Sequence, residues 1–323
     1  MQILKYIFKR FLQTLPILVL VSLISFFLIR LSPVDPLAEL KMNPAISKAT
    51  VEYETKRLGL DKPLWKQYGY WAKSFAKGDL GTTTAGESVG RKLKERAGNT
   101  LLLSFSVIFW TWILGIPLGI IAALNYKKPT DGAVMLFATA GMAVPSFFFA
   151  ILLLIFAQKT GWFPIGNLTS ANFYNMFWWQ KILDIAHHLI LPTVVLTTIS
   201  LGALARQMRA NLLDVLDSDY VKFATAKGLN RFKVVTKHAL RNAINPLITM
   251  LGFEFAGLLS GAALTEYVFQ YPGLGRLILE AVMKSDINLV MASLMLGSIM
   301  LIAGNLLADI LLCLTDPRIR VKA

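Results

Sequence analysis

Residues 100–124 and 133–157 of this chain contain no Asp, Glu, Lys or Arg. Each run exceeds the roughly 20 apolar residues that carry a helix across bilayer hydrocarbon. A backbone in lipid has no water to bond, so such a run must satisfy its own polar groups as a helix. Four further runs are nearly as apolar. They are residues 11–31, 189–205 (stopping at Arg206), 244–269 (interrupted by Glu254 and Glu266) and 287–314 (with Asp309 near its end).

Composition agrees with that reading. Of 323 residues, 55% are hydrophobic and only 16% charged, against about 25% charged in an ordinary soluble domain. Too little charge remains to cover a soluble fold of this size, so a soluble enzyme is excluded. Run 11–31 follows Lys5, Lys9 and Arg10, like a secretory signal. Its apolar stretch is too long for one, and Ser32-Pro33-Val34-Asp35-Pro36 offers no small-x-small cleavage site, so it reads as a retained helix.

Charge sets the orientation. Lys and Arg together number 33 against 19 acidic residues, a net charge of +14. With the N-terminus in the cytoplasm, the inner segments hold Lys5, Lys9, Arg10, Lys127, Lys128, the basic loop 206–243 and the tail with Arg318, Arg320 and Lys322. The two short outer loops hold only Lys159, Lys181, Arg276 and Lys284. Segment 32–99 is also basic, but long loops translocate largely regardless of charge. The expectation is an all-α polytopic membrane protein with six transmembrane helices and both termini cytoplasmic. Its parts are residues 1–31 (N-terminal segment and first helix), an extracytoplasmic loop domain over 32–99, a core over 100–314 and a cytoplasmic tail over 315–323. The basic surplus is accounted for by topology, so membrane lipid is an expected partner and nucleic acid is not.

Chemistry-bearing patterns are sparse. Cys313 is the single cysteine, so neither an intrachain disulfide nor a Cys-based metal cluster is available. His187 and His188 are adjacent and His238 is remote, a poor arrangement for a metal site. Gly81-Thr82-Thr83-Thr84-Ala85-Gly86-Glu87-Ser88 has phosphate-loop spacing, but Glu stands where Lys is needed and no strand precedes it. Asn167-Leu168-Thr169 fits a glycosylation acceptor by chance. Neither a catalytic metal nor a bound cofactor is expected, and no interpretable Ser/His/Asp set is found.

The cytoplasmic loop 206–243 is richer. Asp217, Ser218 and Asp219 are helix-starting residues, with acidic groups at the positive helix end. Gly228 suits the left-handed conformation that closes a helix. In the short helix between them, Tyr220, Phe223, Ala224 and Lys227 are expected on one face. A helix this short is marginal alone, so its aromatic face needs cover, from its own bundle, from the lipid interface or from a partner protein. Within the spans, Glu254 and Glu266 are costly. Each is a candidate pathway residue or a bundle hydrogen-bonding group. Asn305 and Asp309, one turn apart, are a candidate structural polar pair. Gly115-x-x-x-Gly119 and Gly257-x-x-x-Gly261 allow close helix approach, either within the chain or at a subunit seam.

Several motifs occur together. Ala224-Thr225-Ala226-Lys227-Gly228-Leu229 is followed by His238-Ala239-Leu240-Arg241-Asn242-Ala243 and Pro246. The chain also carries Arg10 six residues before Pro16, Gly78-Asp79-Leu80-Gly81, Gly115-Ile116-Pro117-Leu118-Gly119, Val144-Pro145-Ser146-Phe147, Tyr271-Pro272-Gly273-Leu274-Gly275 and Asp316-Pro317-Arg318-Ile319-Arg320. In this order they resemble the permeases of ATP-binding-cassette importers, in particular the peptide/nickel group, over nearly the whole chain. The one departure is Lys222, where the general importer loop has Glu.

The resemblance implies a pore-forming subunit for oligopeptides or dipeptides, without an ATP site of its own. Its partners would be a second, homologous permease (a heterodimer), two cytoplasmic ATPases that carry ATP and Mg, and an extracytoplasmic substrate-binding protein. The short helix, with Tyr220, Phe223, Ala224, Ala226, Lys227, Gly228 and Leu229, would be the coupling helix seated in an ATPase groove. A nickel or metal-chelate importer is the alternative within the family. A stand-alone secondary transporter is the alternative outside it; six spans without an internal repeat count against that.

Overall fold

Long apolar helices dominate the computed structural model, which describes residues 2–31, 37, 41–42, 45–57, 59–261, 263–284 and 286–315. The expected tail motif at 316–320 and the segment 32–36 lie outside the described residues. Helix α1 (Gln2–Leu31) is followed by two short helices, α2 (Lys48–Arg57) and α3 (Leu64–Ala76). Next come α4 (Val89–Leu124), α5 (Pro129–Ala143), α6 (Ser146–Thr160) and α7 (Trp178–Leu216). The loop helix α8 (Asp219–Ala226) leads into α9 (Arg231–Lys233), a π-helical turn (Val234–Ala239) and α10 (Leu240–Ala243). The chain closes with α11 (Asn245–Gly261), α12 (Ala263–Val268), α13 (Leu274–Met283) and α14 (Ile287–Thr315). Among the described residues there is no strand, only an isolated bridge between Thr82 and Ser88.

Among the described residues, four segments are long and apolar enough to cross a membrane: Leu12–Leu31, Val89–Leu124, Trp178–Leu216 and Ile287–Ile310. The expected single span over 133–157 is corrected. It is the pair α5 and α6, bent by 93°. The bend falls at Pro145, whose ring disfavours helical backbone at the residue before it. Val144 accordingly sits at φ −89°, ψ 124°, and α5 stops. The expected span over 244–269 is described as α11 and α12, with residue 262 between them outside the described residues.

Two helices outrun their apolar stretches. Helix α4 begins at Val89, eleven residues before the uncharged run, where the Ser88 hydroxyl accepts the Arg91 N–H. Its 36 residues rise about 54 Å, well beyond the ~30 Å hydrocarbon core. Helix α7, with 39 residues, extends the 189–205 run on both sides. Its C-terminal end is separated from α8 only by Asp217 and Ser218.

The α4–α7 seam is made by small residues. A Cβ on Gly119 would stand 2.6 Å from the Ala205 carbonyl oxygen and from Met208 Cβ, and one on Gly115 would stand 3.0 Å from Leu204 Cδ2. Gly115-x-x-x-Gly119 is therefore an intrachain seam, where missing side chains let two backbones approach. Helix α5 meets α7 the same way: a Cβ on Gly141 would stand 2.9 Å from Thr198 Cγ2, and Gly202 leaves no room for one against the Ala138 carbonyl.

A buried ion pair locks α5 to the C-terminal part of α7. Asp131, 5% exposed, accepts Arg209 Nε at 2.6 Å and the guanidinium NH2 group at 2.7 Å. It also accepts the Lys127 N–H at 3.2 Å. The guanidinium lies 5.2 Å from the centre of the Tyr126 ring.

Two outcomes follow for the detergent-purified chain. Gly119→Leu lowers stability by about 1–3 kcal/mol through overpacking, whereas Gly257→Leu does not, because an added Cβ there meets nothing within 4 Å; thermal unfolding compares them. Asp131→Asn costs about 1–2 kcal/mol, read from the same thermal unfolding.

Candidate functional site

Helix α8 owes its limits to its ends. Ser218 occupies the N-cap with extended backbone (φ −70°, ψ 148°). Gly228 closes the far end at φ +76°, and an added Cβ there would meet nothing within 4 Å. Backbone conformation alone, not space, demands glycine here. Lys222, the departure from the importer loop, pairs with Asp217 at 2.7 Å. That hydrogen bond lowers the Asp217 carboxyl and raises the Lys222 ammonium, but both side chains are exposed and screened by water.

The faces of α8 differ from expectation. Val221 and Ala224 are the buried residues, 3% and 6% exposed. They pack into an inner cluster with Ala123 of α4, Leu204, Met208 and Leu212 of α7, Val234, Ala239 and Leu247. Tyr220, Phe223 and Lys227 point the other way. Ala224 therefore does not share their face as predicted, because the stripe joining Val221 to Ala224, three residues apart, is the one that meets the bundle. Phe223 is 62% exposed and Lys227 sits 4.6 Å over its ring. The Tyr220 hydroxyl accepts Asn242 Nδ2 at 2.7 Å. Ala226 is exposed, and Leu229 is half-buried against the inner cluster. The helix thus folds back on its own bundle through one stripe and leaves its aromatic stripe uncovered.

The segment after α8 is tied down as well. Asn230 accepts the Phe232 N–H at 2.9 Å and starts α9. Asn211 of α7 accepts Gln207 Nε2 at 2.8 Å and donates to the Ala243 carbonyl at 3.1 Å. Phe232, 77% exposed, adds a second uncovered aromatic beside α8. Sequence reasoning missed it inside the basic run Arg231 to Arg241. A bare aromatic flanked by Arg231 and Lys233 was the available signal.

The carboxylates of 244–269 differ sharply. Glu254, half-buried on α11, accepts the Trp112 indole N–H of α4 at 3.0 Å. Glu266 of α12 is 0% exposed. It accepts the Thr100 hydroxyl at 3.0 Å and the Arg276 backbone N–H at 2.9 Å, while Thr100 accepts the Leu274 N–H at 2.7 Å. A carboxylate here satisfies donors at the start of α13. Gly273 must lack a side chain because a Cβ would run into that carboxylate. Tyr271 donates to the Asn99 carbonyl at 2.7 Å and Asn99 Nδ2 to the Pro272 carbonyl at 2.8 Å. Glu266 is thus the brace of the Tyr271–Gly275 turn in this conformation. On α14, Asn305 Oδ1 lies 2.8 Å from where a Gly252 Cβ would stand, so α14 rests on α11 at that point. Asp309 lies one turn further on, half-buried.

Helices α4, α5 and α7 also enclose a cavity of about 840 Å³. Its wall is mainly apolar, with Trp110, Phe137, Ile190 and Val194, and its polar points include Thr193 and Thr197. The Thr197 hydroxyl is buried there without a hydrogen-bond partner.

Comparison with known proteins places this architecture. Residues 115–321 match the family described as binding-protein-dependent transport system inner membrane component, and residues 3–89 match the N-terminal region of such membrane components. The oligopeptide transport system permease protein AppB of Bacillus subtilis is 36% identical over 318 residues, covering 97% of this chain and 98% of that protein. The glutathione transport system permease protein GsiC of Escherichia coli strain K12 is 35% identical over 321 residues, covering 99% and 100%. Among solved structures, an inward-facing conformation of the MetNI methionine ABC transporter aligns with a TM-score of 0.57 at 16% identity, over 70% of this chain and 96% of that one, a likeness of fold. The chain therefore belongs to the inner-membrane components of binding-protein-dependent transport systems, as a multi-pass permease of ATP-driven importers.

Proposed function

We propose that this permease translocates peptides inward by alternating access, driven through α8 by ATPase subunits that bind ATP and Mg in its place. The observation that carries the proposal is the two-sidedness of α8. Val221 and Ala224 fix it to the inner ends of α4 and α7, while Phe223 and Tyr220 remain open to a partner. A groove that grips the outer stripe moves the inner one, and with it α7, whose 39-residue body continues through the membrane. The Asp131–Arg209 clamp passes the same displacement to α5 and its bend at Pro145. Two packings of such helices, biased by nucleotide on the partner, make the switch.

The complete assembly in this proposal has six spans in this chain with both termini inside, a second homologous permease, two ATPases and an extracytoplasmic binding protein. Peptide is favoured as cargo because the long-coverage relatives include an oligopeptide and a glutathione permease. Of the two candidate pathway carboxylates, Glu254 is the one this proposal assigns to a translocating amino group, because Glu266 already spends its oxygens on Thr100 and the Arg276 N–H.

The test uses the reconstituted complex in proteoliposomes. Phe223→Asp or Gly228→Pro leaves the chain inserted and lowers ATP-driven uptake more than tenfold, the scale of losing one interface anchor of about 2 kcal/mol. Normal uptake by either variant, with ATPase subunits bound, refutes the coupling assignment. Uptake that follows an ion gradient without ATP instead identifies a secondary transporter.

A further inference from the structure

Helix α3 carries no acidic residue, and its polar and aromatic residues are sorted by side. At 100° per residue Leu64, Tyr68, Trp71 and Phe75 share one face. Lys66, Lys73 and Lys77, just past the helix, share the opposite one. Trp65 and Tyr70 stand at the two borders and are 67% and 57% exposed.

The aromatic face sits on α1, and it does so deep along that helix. The Tyr68 hydroxyl is 2.9 Å from Ser22 Oγ. The Phe26 ring meets Tyr68 at 5.5 Å and Trp71 at 6.5 Å, and Trp71 stacks on Phe75 at 5.3 Å. Ser22 lies nine residues before the last residue of α1, about 13 Å of helical rise. A tyrosine side chain is shorter than that, so the α3 backbone itself lies below the end of the spanning helix. Arg30, the first charge at that end, folds its guanidinium back over Phe26 at 5.5 Å. The lysine ammonium of Lys66 lies 5.1 Å over the Trp65 ring and that of Lys62 lies 4.4 Å over Tyr70. Aromatic rings paired with lysine ammonium groups are side chains of the kind that collect at a membrane boundary.

We propose that α3 is an in-plane anchor embedded in the outer leaflet, its aromatic borders at headgroup level and Lys66, Lys73 and Lys77 binding anionic phospholipid headgroups. Part of segment 32–99 then belongs to the bilayer surface. Three features select lipid as the occupant: the depth fixed by Ser22, the one-sided charge, and the bare Trp and Tyr at its borders. The choice of leaflet rests on the orientation proposed above; the depth does not.

The test places the full chain, with Cys313→Ser as background, in nanodiscs of equimolar phosphatidylcholine and phosphatidylglycerol. A nitroxide on Trp65→Cys is compared with one on Ala85→Cys, an exposed position that precedes the long α4 extension. The label at 65 collides more with oxygen than with a soluble nickel chelate, and the label at 85 does the reverse. In the variant K66Q/K73Q/K77Q, the selectivity of the motionally restricted shell for spin-labelled phosphatidylglycerol over phosphatidylcholine falls, by roughly fivefold for each lysine site lost. Equal nickel access at 65 and 85, or unchanged lipid selectivity in the triple variant, overturns the proposal. So does shielding of the label at 65 only when a binding protein is added, which would make α3 a protein-docking surface. Neither readout needs ATP or substrate, so failure here and failure of the coupling reading are separable.

Discussion

Close contact between α4 and α7 is the constraint on which the remaining architecture depends. In lipid the hydrophobic effect does not draw helices together, so association falls to packing and to interhelical hydrogen bonds. Gly115 and Gly119 supply the packing by letting Leu204, Ala205 and Met208 approach the α4 backbone. The same stretch of α7 holds Arg209 and Leu212, and it runs on through Asp217 and Ser218 into α8. A loosened seam would remove the floor on which Val221 and Ala224 rest. It would also separate the proposed coupling surface from the helices that the proposal has it move.

Polar groups act as fasteners at both ends of α4 and α7. Asp131 and Arg209 join α5 to the C-terminal part of α7, while Glu266, Thr100 and the N–H groups opening α13 join α12, α4 and α13. A buried charge or carboxylate left without partners costs several kcal/mol, so each fastener holds its geometry firmly or yields as a unit. That all-or-none character suits a protein that exchanges two packings.

Much of this was legible in the sequence, for definite reasons. Apolar run length located the spanning helices, and Gly228 announced the end of α8 because its backbone needs φ > 0. Other features were hidden. Pro145 lies inside an unbroken apolar run, so hydropathy could not separate α5 from α6. Helices α4 and α7 continue past the point where charges begin, and a hydropathy boundary cannot see helix in polar sequence. The face of α8 was misassigned at Ala224 because its two aromatics outweighed the smaller Val221–Ala224 stripe that packs inward. Asp131 and Arg209 are 78 residues apart, with no local pattern connecting them. Glu254 and Glu266 looked equivalent as charges in one run, and only the fold distinguishes a carboxylate reached by Trp112 from one enclosed by Thr100 and α13.

The central claim is that the uncovered side of α8 is the place where work enters this permease. The most direct measurement puts a photo-cross-linking amino acid at position 223 in the assembled transporter, irradiated with and without a non-hydrolysable ATP analogue. The account predicts a single dominant adduct to an ATPase subunit, at a position within that subunit that shifts when nucleotide binds. Adducts to lipid, or to this chain alone, would contradict it.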